Sequence, residues 1–182
     1  MVTIVPYQST WPDEFQRLGG VLRGSLGDLA LRIDHIGMTS IPGLAAKDRI
    51  DIQVTVEDLD PAIEGALSHI GYQQIEYLTD HPPIGIESHA RDWIKWVFKP
   101  PAGQRPTNLH VRRANQRYAL LFRDYLRTHL TAAQAHLLTD SGDDFPGLTS
   151  SDRSHQIVGF GIEKGEVVMI ASDLRIYCKI FF

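Results

Sequence analysis

The sequence predicts an α/β (α+β) domain built as a small mixed sheet with helices mainly on one face. Three observations carry that expectation. The run Ile50–Val56 alternates apolar and polar residues without exception, which is the period of a strand with one buried face. Two flanking segments, 10–27 and 60–71, instead repeat their apolar residues at helical spacing between stop signals. Strand and helix patterns then follow one another along the chain in the manner of packed α/β layers.

The elements follow in order. Thr10 precedes a segment with Pro12, Asp13 and Glu14 in its first turn and Phe15, Leu18, Leu22 and Leu26 along one stripe. Proline and acids suit the positive end of a helix, with Thr10 as the cap. Gly27 and Asp28 end it, and Leu29, Leu31, Ile33 and His35 alternate with Ala30, Arg32 and Asp34 as a strand. Residues 37–47 read as a loop, rich in Gly37, Thr39, Ser40, Pro42 and Gly43. The strand 50–56 follows, with Ile50, Ile52, Val54 and Val56 on one side and Asp51, Gln53 and Thr55 on the other. Asp60 and Pro61 start a helix bearing Ile63, Leu67 and Ile70, closed by Gly71. Strands are expected at 72–78 and 93–99, a loop at 81–89 and a turn at 100–106. A short strand follows, with Leu109 and Val111 opposite His110 and Arg112. Asn115 is then expected to cap a helix carrying Tyr118, Leu121, Phe122, Tyr125 and Leu126. From Thr139 the chain turns rich in glycine, aspartate and serine, with β-prone runs near its end. Residues 1–138 are therefore read as one domain and 139–182 as a divergent appendage with β character.

Composition narrows the function. With 18 basic and 22 acidic residues the formal charge is −4, so the basic footprint that drives nucleic-acid binding is missing. No run reaches the ~18 apolar residues of a membrane span, and nothing at the start resembles a secretory signal. Cys178 is the single cysteine, which precludes an intrachain disulfide. These features predict a cytoplasmic chain without nucleic-acid or membrane partners.

The chemistry concentrates in residues 34–54. A strand leads into a glycine- and hydroxyl-bearing loop, followed by a strand that presents Asp51. One reading is a phosphate cradle: backbone N–H groups from Gly37 onward, the Thr39 and Ser40 hydroxyls and the Lys47 cation, with Asp51 holding a divalent metal. The other is a tight turn whose hydroxyls cap local backbone and whose Asp51 faces solvent. His35 divides likewise between a functional group and a core-edge histidine. Trp93 and Trp96 are expected in the core rather than as a stacking platform.

This segment resembles the signature of the GrpB family. So do Tyr7, Trp11-Pro12, Arg105-Pro106-Thr107-Asn108-Leu109-His110-Val111 and the stretch Asn115–Arg127, in the same order over roughly residues 3–136. That family has a DNA polymerase β-like nucleotidyltransferase fold and also occurs as the C-terminal domain of some bacterial dephospho-CoA kinases, to which the Lys47-Asp48 and Asn115–Arg127 stretches are most similar. The resemblance implies a transferase site in which glycine followed by glycine or serine opens a helix and two carboxylates, one residue apart, hold Mg²⁺ or Mn²⁺. Here Met38 follows Gly37 and Gln53 stands at the second acid. Gln53 brings an amide oxygen and no charge.

On this basis Asp51 and His110 are the candidate catalytic residues, Asp51 and Gln53 the candidate metal ligands, and Gly37, Thr39, Ser40, Lys47 and Arg123 the candidate phosphate-binding residues. His35 is an additional candidate, and Arg127 is read as pairing with Asp124. Two functions follow. One is binding of a nucleoside phosphate with a divalent metal, with nucleotidyl transfer to a small acceptor. The other is a catalytically degenerate accessory domain, with a dephospho-CoA kinase as partner. No Gly-Lys-Ser or Gly-Lys-Thr phosphate loop occurs in the 182 residues, so they hold no P-loop kinase site.

Overall fold

The computed structural model describes residues 3–79, 93–131 and 133, and the backbone of 157–163, 166–171 and 174–179. The loop expected at 81–89 lies outside the described residues. The element order is β1 (Ile4–Val5), α1 (Trp11–Leu26), β2 (Arg32–Ile36), β3 (Ala46–Lys47), β4 (Ile50–Val56), α2 (Pro61–His69), β5 (Gln73–Thr79), β6 (Ile94–Lys99), β7 (Thr107–Arg113) and α3 (Tyr118–Thr128). Three further strands, β8 (Ile157–Glu163), β9 (Glu166–Ala171) and β10 (Leu174–Lys179), form an antiparallel sheet among themselves.

Strands β2-β4-β7-β6-β5 form one five-stranded sheet in that order. It is mixed: β4 and β7 run parallel and the other pairs antiparallel. A parallel pair needs a long crossover, and here α2, β5 and β6 supply it. Ile50, Ile52, Val54 and Val56 of β4 are completely buried against Trp11, Leu22 and Leu26 of α1 and Ile63 and Leu67 of α2. α1 and α2 thus cover the apolar face. α3 lies against the other face, and its Tyr125 and Leu126 join Ile41, Leu44 and Ala133 in a second apolar cluster. Because of that cover, Gln53 and Thr55 are buried rather than solvent-facing.

Local details depart from expectation at three places. Thr10 has helical dihedrals and makes no side-chain cap; its hydroxyl donates to Glu14 Oε1 at 2.8 Å. Residues Gly27–Leu29 wind into a 3-10 turn, so the strand begins at Arg32 rather than Leu29. Asn115 sits in a turn, and α3 begins at Tyr118 with Arg117 already helical. Asp60, by contrast, accepts from the Ala62 N–H at 2.7 Å as a true cap.

Several residues of the family-like motifs turn out to hold the architecture together. Trp11 Nε1 donates to Asp48 Oδ1 at 2.9 Å. The Arg105 guanidinium donates to the carboxylates of Glu14 and Asp48 and, at 2.9 Å, to the Asp48 carbonyl. The start of α1, the turn after β3 and the approach to β7 are thereby tied at one point. The Arg105 and Trp11 hydrogen bonds hold the Asp48 carboxyl below its ordinary range.

Candidate functional site

Strand register gathers the polar residues of the sheet onto the face under α3. Asp51 is level with Ile36 of β2 and Asn108 of β7, Gln53 with Asp34 and His110, and Thr55 with Arg112. Residues level in adjacent strands share a face, so strictly alternating β4 and β7 lay down Asp51, Gln53, Asn108, His110 and Arg112 together. A cavity of about 190 Å³ opens beside them, lined by Gly37, Met38, Asp51, Ala119, Phe122, Arg123 and Leu126. Asp51 and Arg123 stand in its wall with opposite charges, among apolar side chains of α3 and the Gly37–Met38 turn.

Gly37 is required where it stands. Its φ is +70°, a region L-residues rarely adopt. A Cβ there would lie 2.9 Å from Asp51 Cβ and closer still to Asp51 Oδ2. The bare backbone at Gly37 is what lets the Asp51 carboxylate sit against the turn. Asn108 Nδ2 donates to Asp51 Oδ1 at 2.7 Å and fixes the carboxylate from the other side.

The second acid position behaves differently. Gln53 is completely buried; its Oε1 accepts from Arg112 Nη1 at 3.1 Å and its Nε2 donates to Thr55 Oγ1 at 3.2 Å. Arg112 is itself buried, and its Nη2 donates to the Tyr118 hydroxyl at 3.2 Å. A guanidinium therefore faces the amide oxygen that a metal would need, and Asp34, level with Gln53, is itself held by Arg32 and Arg123. This donor set does not fit a two-metal centre, which needs several oxygen ligands with net negative charge. Among the described residues, no three of His, Cys, Asp and Glu are grouped so as to hold a metal ion. His110 lies level with Gln53 and two residues along from the level of Asp51.

Among the expected phosphate ligands, the structure brings Gly37 and Arg123 to the cavity and directs the others elsewhere. Thr39 Oγ1 donates to the Arg49 carbonyl at 3.1 Å, and Ser40 Oγ donates to the Gly37 carbonyl at 2.5 Å. A hydroxyl has one proton, so neither has a donor left for a phosphate. Lys47 lies on β3 opposite Ile4 of β1, outside the cavity wall. Arg123 is anchored by Asp124 Oδ1 at 2.7 Å, the His35 carbonyl at 3.1 Å and Asp34 Oδ1 at 3.4 Å. Sequence reasoning missed Arg112 and Asn108 as partners of Gln53 and Asp51. The alternation of β7 was the available signal, but it could not say which strand lies beside β4.

His35 belongs to the opposite face. It is level with Ile52, stacks on Phe15 with ring centroids 4.9 Å apart, and lies 3.0 Å through Nε2 from Thr39 Oγ1. Since that hydroxyl proton goes to Arg49, Nε2 is the donor. Burial first, then the charges of Arg127 and Arg123, lower the His35 pKa to about 4. In the unfolded chain it titrates near the ordinary value of about 6.5, so below that the unfolded state binds the proton and the folded state does not. Stability is present above pH ~6.5 and falls as pH drops toward 4. His35→Gln, which keeps a donor for Thr39, should remove about 2 kcal/mol of the stability lost between pH 7 and 5. Urea unfolding of both proteins at the two pH values measures it; equal losses would show that His35 is not held neutral.

The family model described as GrpB protein matches residues 1–138. A dephospho-CoA kinase of Mycobacterium tuberculosis is 40% identical over 152 residues, covering 74% of this chain and 37% of the relative. The chain thus spans little more than a third of that relative's length. A Pseudomonas aeruginosa protein named UPF0157 protein PA4798 is 31% identical, with 96% of this chain and 78% of the relative covered. Among solved structures, a conserved protein GrpB from Enterococcus faecalis superposes with a TM-score of 0.58 at 26% identity, over 76% of this chain and 81% of the other.

Proposed function

The chain belongs to the GrpB family, and from that premise we propose that it is a binding domain on a DNA polymerase β-like scaffold. Its cleft under α3 takes a nucleoside phosphate without metal and without nucleotidyl transfer. The observation that carries this reading is the Arg112–Gln53 hydrogen bond of 3.1 Å between two buried side chains. A buried guanidinium at the second acid position supplies positive charge where a transferase keeps a cation-binding carboxylate. A divalent ion would have to approach it with Asp51 in compensation, since Asp34 is already paired with Arg32 and Arg123.

Binding does not need the metal. Arg123 offers N–H donors to an oxyanion from one wall, and Asp51 accepts from a hydroxyl or amino group from another. Met38, Phe122 and Leu126 take the apolar part. An accessory role beside a dephospho-CoA kinase is part of the same proposal, since the matching segment in the mycobacterial relatives belongs to a longer chain of that name.

Calorimetric titration with ATP, CTP, GTP, UTP and CoA, each with and without Mg²⁺ or Mn²⁺, tests the reading. One nucleotide should bind equally well with and without metal, and Asp51→Ala should weaken it at least tenfold. Gln53→Asp should gain no metal dependence, because the new carboxylate pairs with Arg112. Metal-dependent binding by the parent, or release of pyrophosphate from any of the nucleotides, would overturn the proposal.

A further inference from the structure

A second, larger cavity, about 260 Å³, opens at the free edge of β2 between α1, the Ser40–Pro42 turn and α3. Its charged wall is made by Asp34, Arg123 and Arg127, and its apolar wall includes Tyr7, Phe15 and Pro42. The two arginines are one helical turn apart, so both side chains reach the same edge. Their electrostatic situations differ. Arg123 takes Asp34 and Asp124 as partners, and Asp34 Oδ1 is also held by Arg32 at 2.8 Å. Arg127 donates through Nε and Nη2 to one neutral acceptor, the Ser40 carbonyl, at 3.1 and 3.0 Å. Its Nη1 stands 3.8 Å from Asp124 Oδ1, beyond hydrogen-bond distance.

The Ser40 carbonyl orients the Arg127 fork, and the ion-pair partner of Arg127 is, as the sequence suggests, Asp124, a carboxylate 3.8 Å away that Arg123 holds more closely. Counting the side chains at this edge, Arg32, Arg123 and Arg127 face Asp34 and Asp124, which leaves one positive charge over. Burial and the neighbouring Arg123 charge also hold the Arg127 guanidinium below its ordinary pKa. An incoming anion would relieve that repulsion.

We propose that this edge cavity is an oxyanion subsite, in which Arg127 takes a phosphate or carboxylate group and the aromatic wall of Phe15 and Tyr7 takes the rest of a small acid. The subsite is separate from the cleft under α3. Arg123 borders both, whereas Arg127 lines the edge cavity and Asp51 lines the cleft.

The imidazole of His35 reports on it directly. His35 lines the cavity, and the charged groups that face it are Arg123 and Arg127 from α3 and its strand neighbour Asp34; α1 presents the neutral Phe15 and Gln16. NMR titration of the His35 ring on the full chain, with inorganic phosphate or acetate in the millimolar range and without either, is the test. A bound anion should raise the His35 midpoint by ~1 pH unit. Arg127→Gln keeps a donor for the Ser40 carbonyl and should abolish the rise, with the dispersion of the spectrum reporting that it folds. Asp51→Ala should keep the rise while losing nucleotide binding in the cleft, so failure of one site is distinguishable from failure of the other. A response to phosphate alone assigns a phosphorylated ligand, and an equal response to acetate assigns a carboxylic acid. No response in the parent, or the same response in Arg127→Gln, overturns the proposal.

Discussion

Gly37→Ala should unfold or severely destabilise the protein, by about 2–6 kcal/mol, and remove ligand binding in the cleft. Two physical terms combine. The backbone at Gly37 has φ +70° and ψ −177°, a combination essentially reserved to glycine and costly by ~1–3 kcal/mol for a side-chain-bearing residue. The added methyl would also sit 2.9 Å from Asp51 Cβ and 3.0 Å from Asp51 Cγ. It can be accommodated only by pushing Asp51 off Asn108 or by moving the Met38–Ser40 turn, which carries the Ser40 carbonyl used by Arg127. Overpacking of that kind costs a further ~1–3 kcal/mol. Chemical denaturation and nucleotide calorimetry on the variant measure the two consequences. A variant with parent-like stability would mean that the turn does not have this geometry.

Trp11→Ala should cost about 3–5 kcal/mol, the range for emptying a core position of this size. Trp11 is completely buried at the start of α1, among Leu22, Leu26 and the β4 side chains. Its indole N–H holds Asp48 at 2.9 Å, and its ring meets Tyr7 edge-on at 5.3 Å. The loss is thus partly cavity and partly network. Trp11→Phe separates them: it fills most of the space and removes only the donor, so about 1–2 kcal/mol should go. Asp48 would keep Arg105 as its partner. Equal losses for the two variants would place the whole effect in the hydrogen bond rather than in packing.

Both residues stand in the motifs through which the chain resembles its family, and both hold the fold, Gly37 while also lining the cleft. Trp11, Asp48 and Arg105 form a tie between three separated segments. Motif resemblance alone does not distinguish such a tie from a catalytic group. Gly37 supports the candidate site indirectly, by leaving room for Asp51.

Strand β4, helix α2 and the alternation of β7 were legible in the residues, because period and caps are local properties. So was the mixed character of the architecture. The order β2-β4-β7-β6-β5 was not, because nothing local tells β4 to take β7 as its parallel neighbour. That pairing brings Arg112 against Gln53 and Asn108 against Asp51, across separations of 59 and 57 residues. The residue types at hand can be read along the chain: an acid at Asp51, an amide at Gln53, a cation at Arg112 and hydroxyls at Thr39 and Ser40. That the amide oxygen faces a guanidinium and that the hydroxyl protons stay within the loop emerges in the folded molecule. The reason is that hydrogen-bond partners are assigned by proximity in the folded chain, and each buried polar atom takes the partner that packing brings to it.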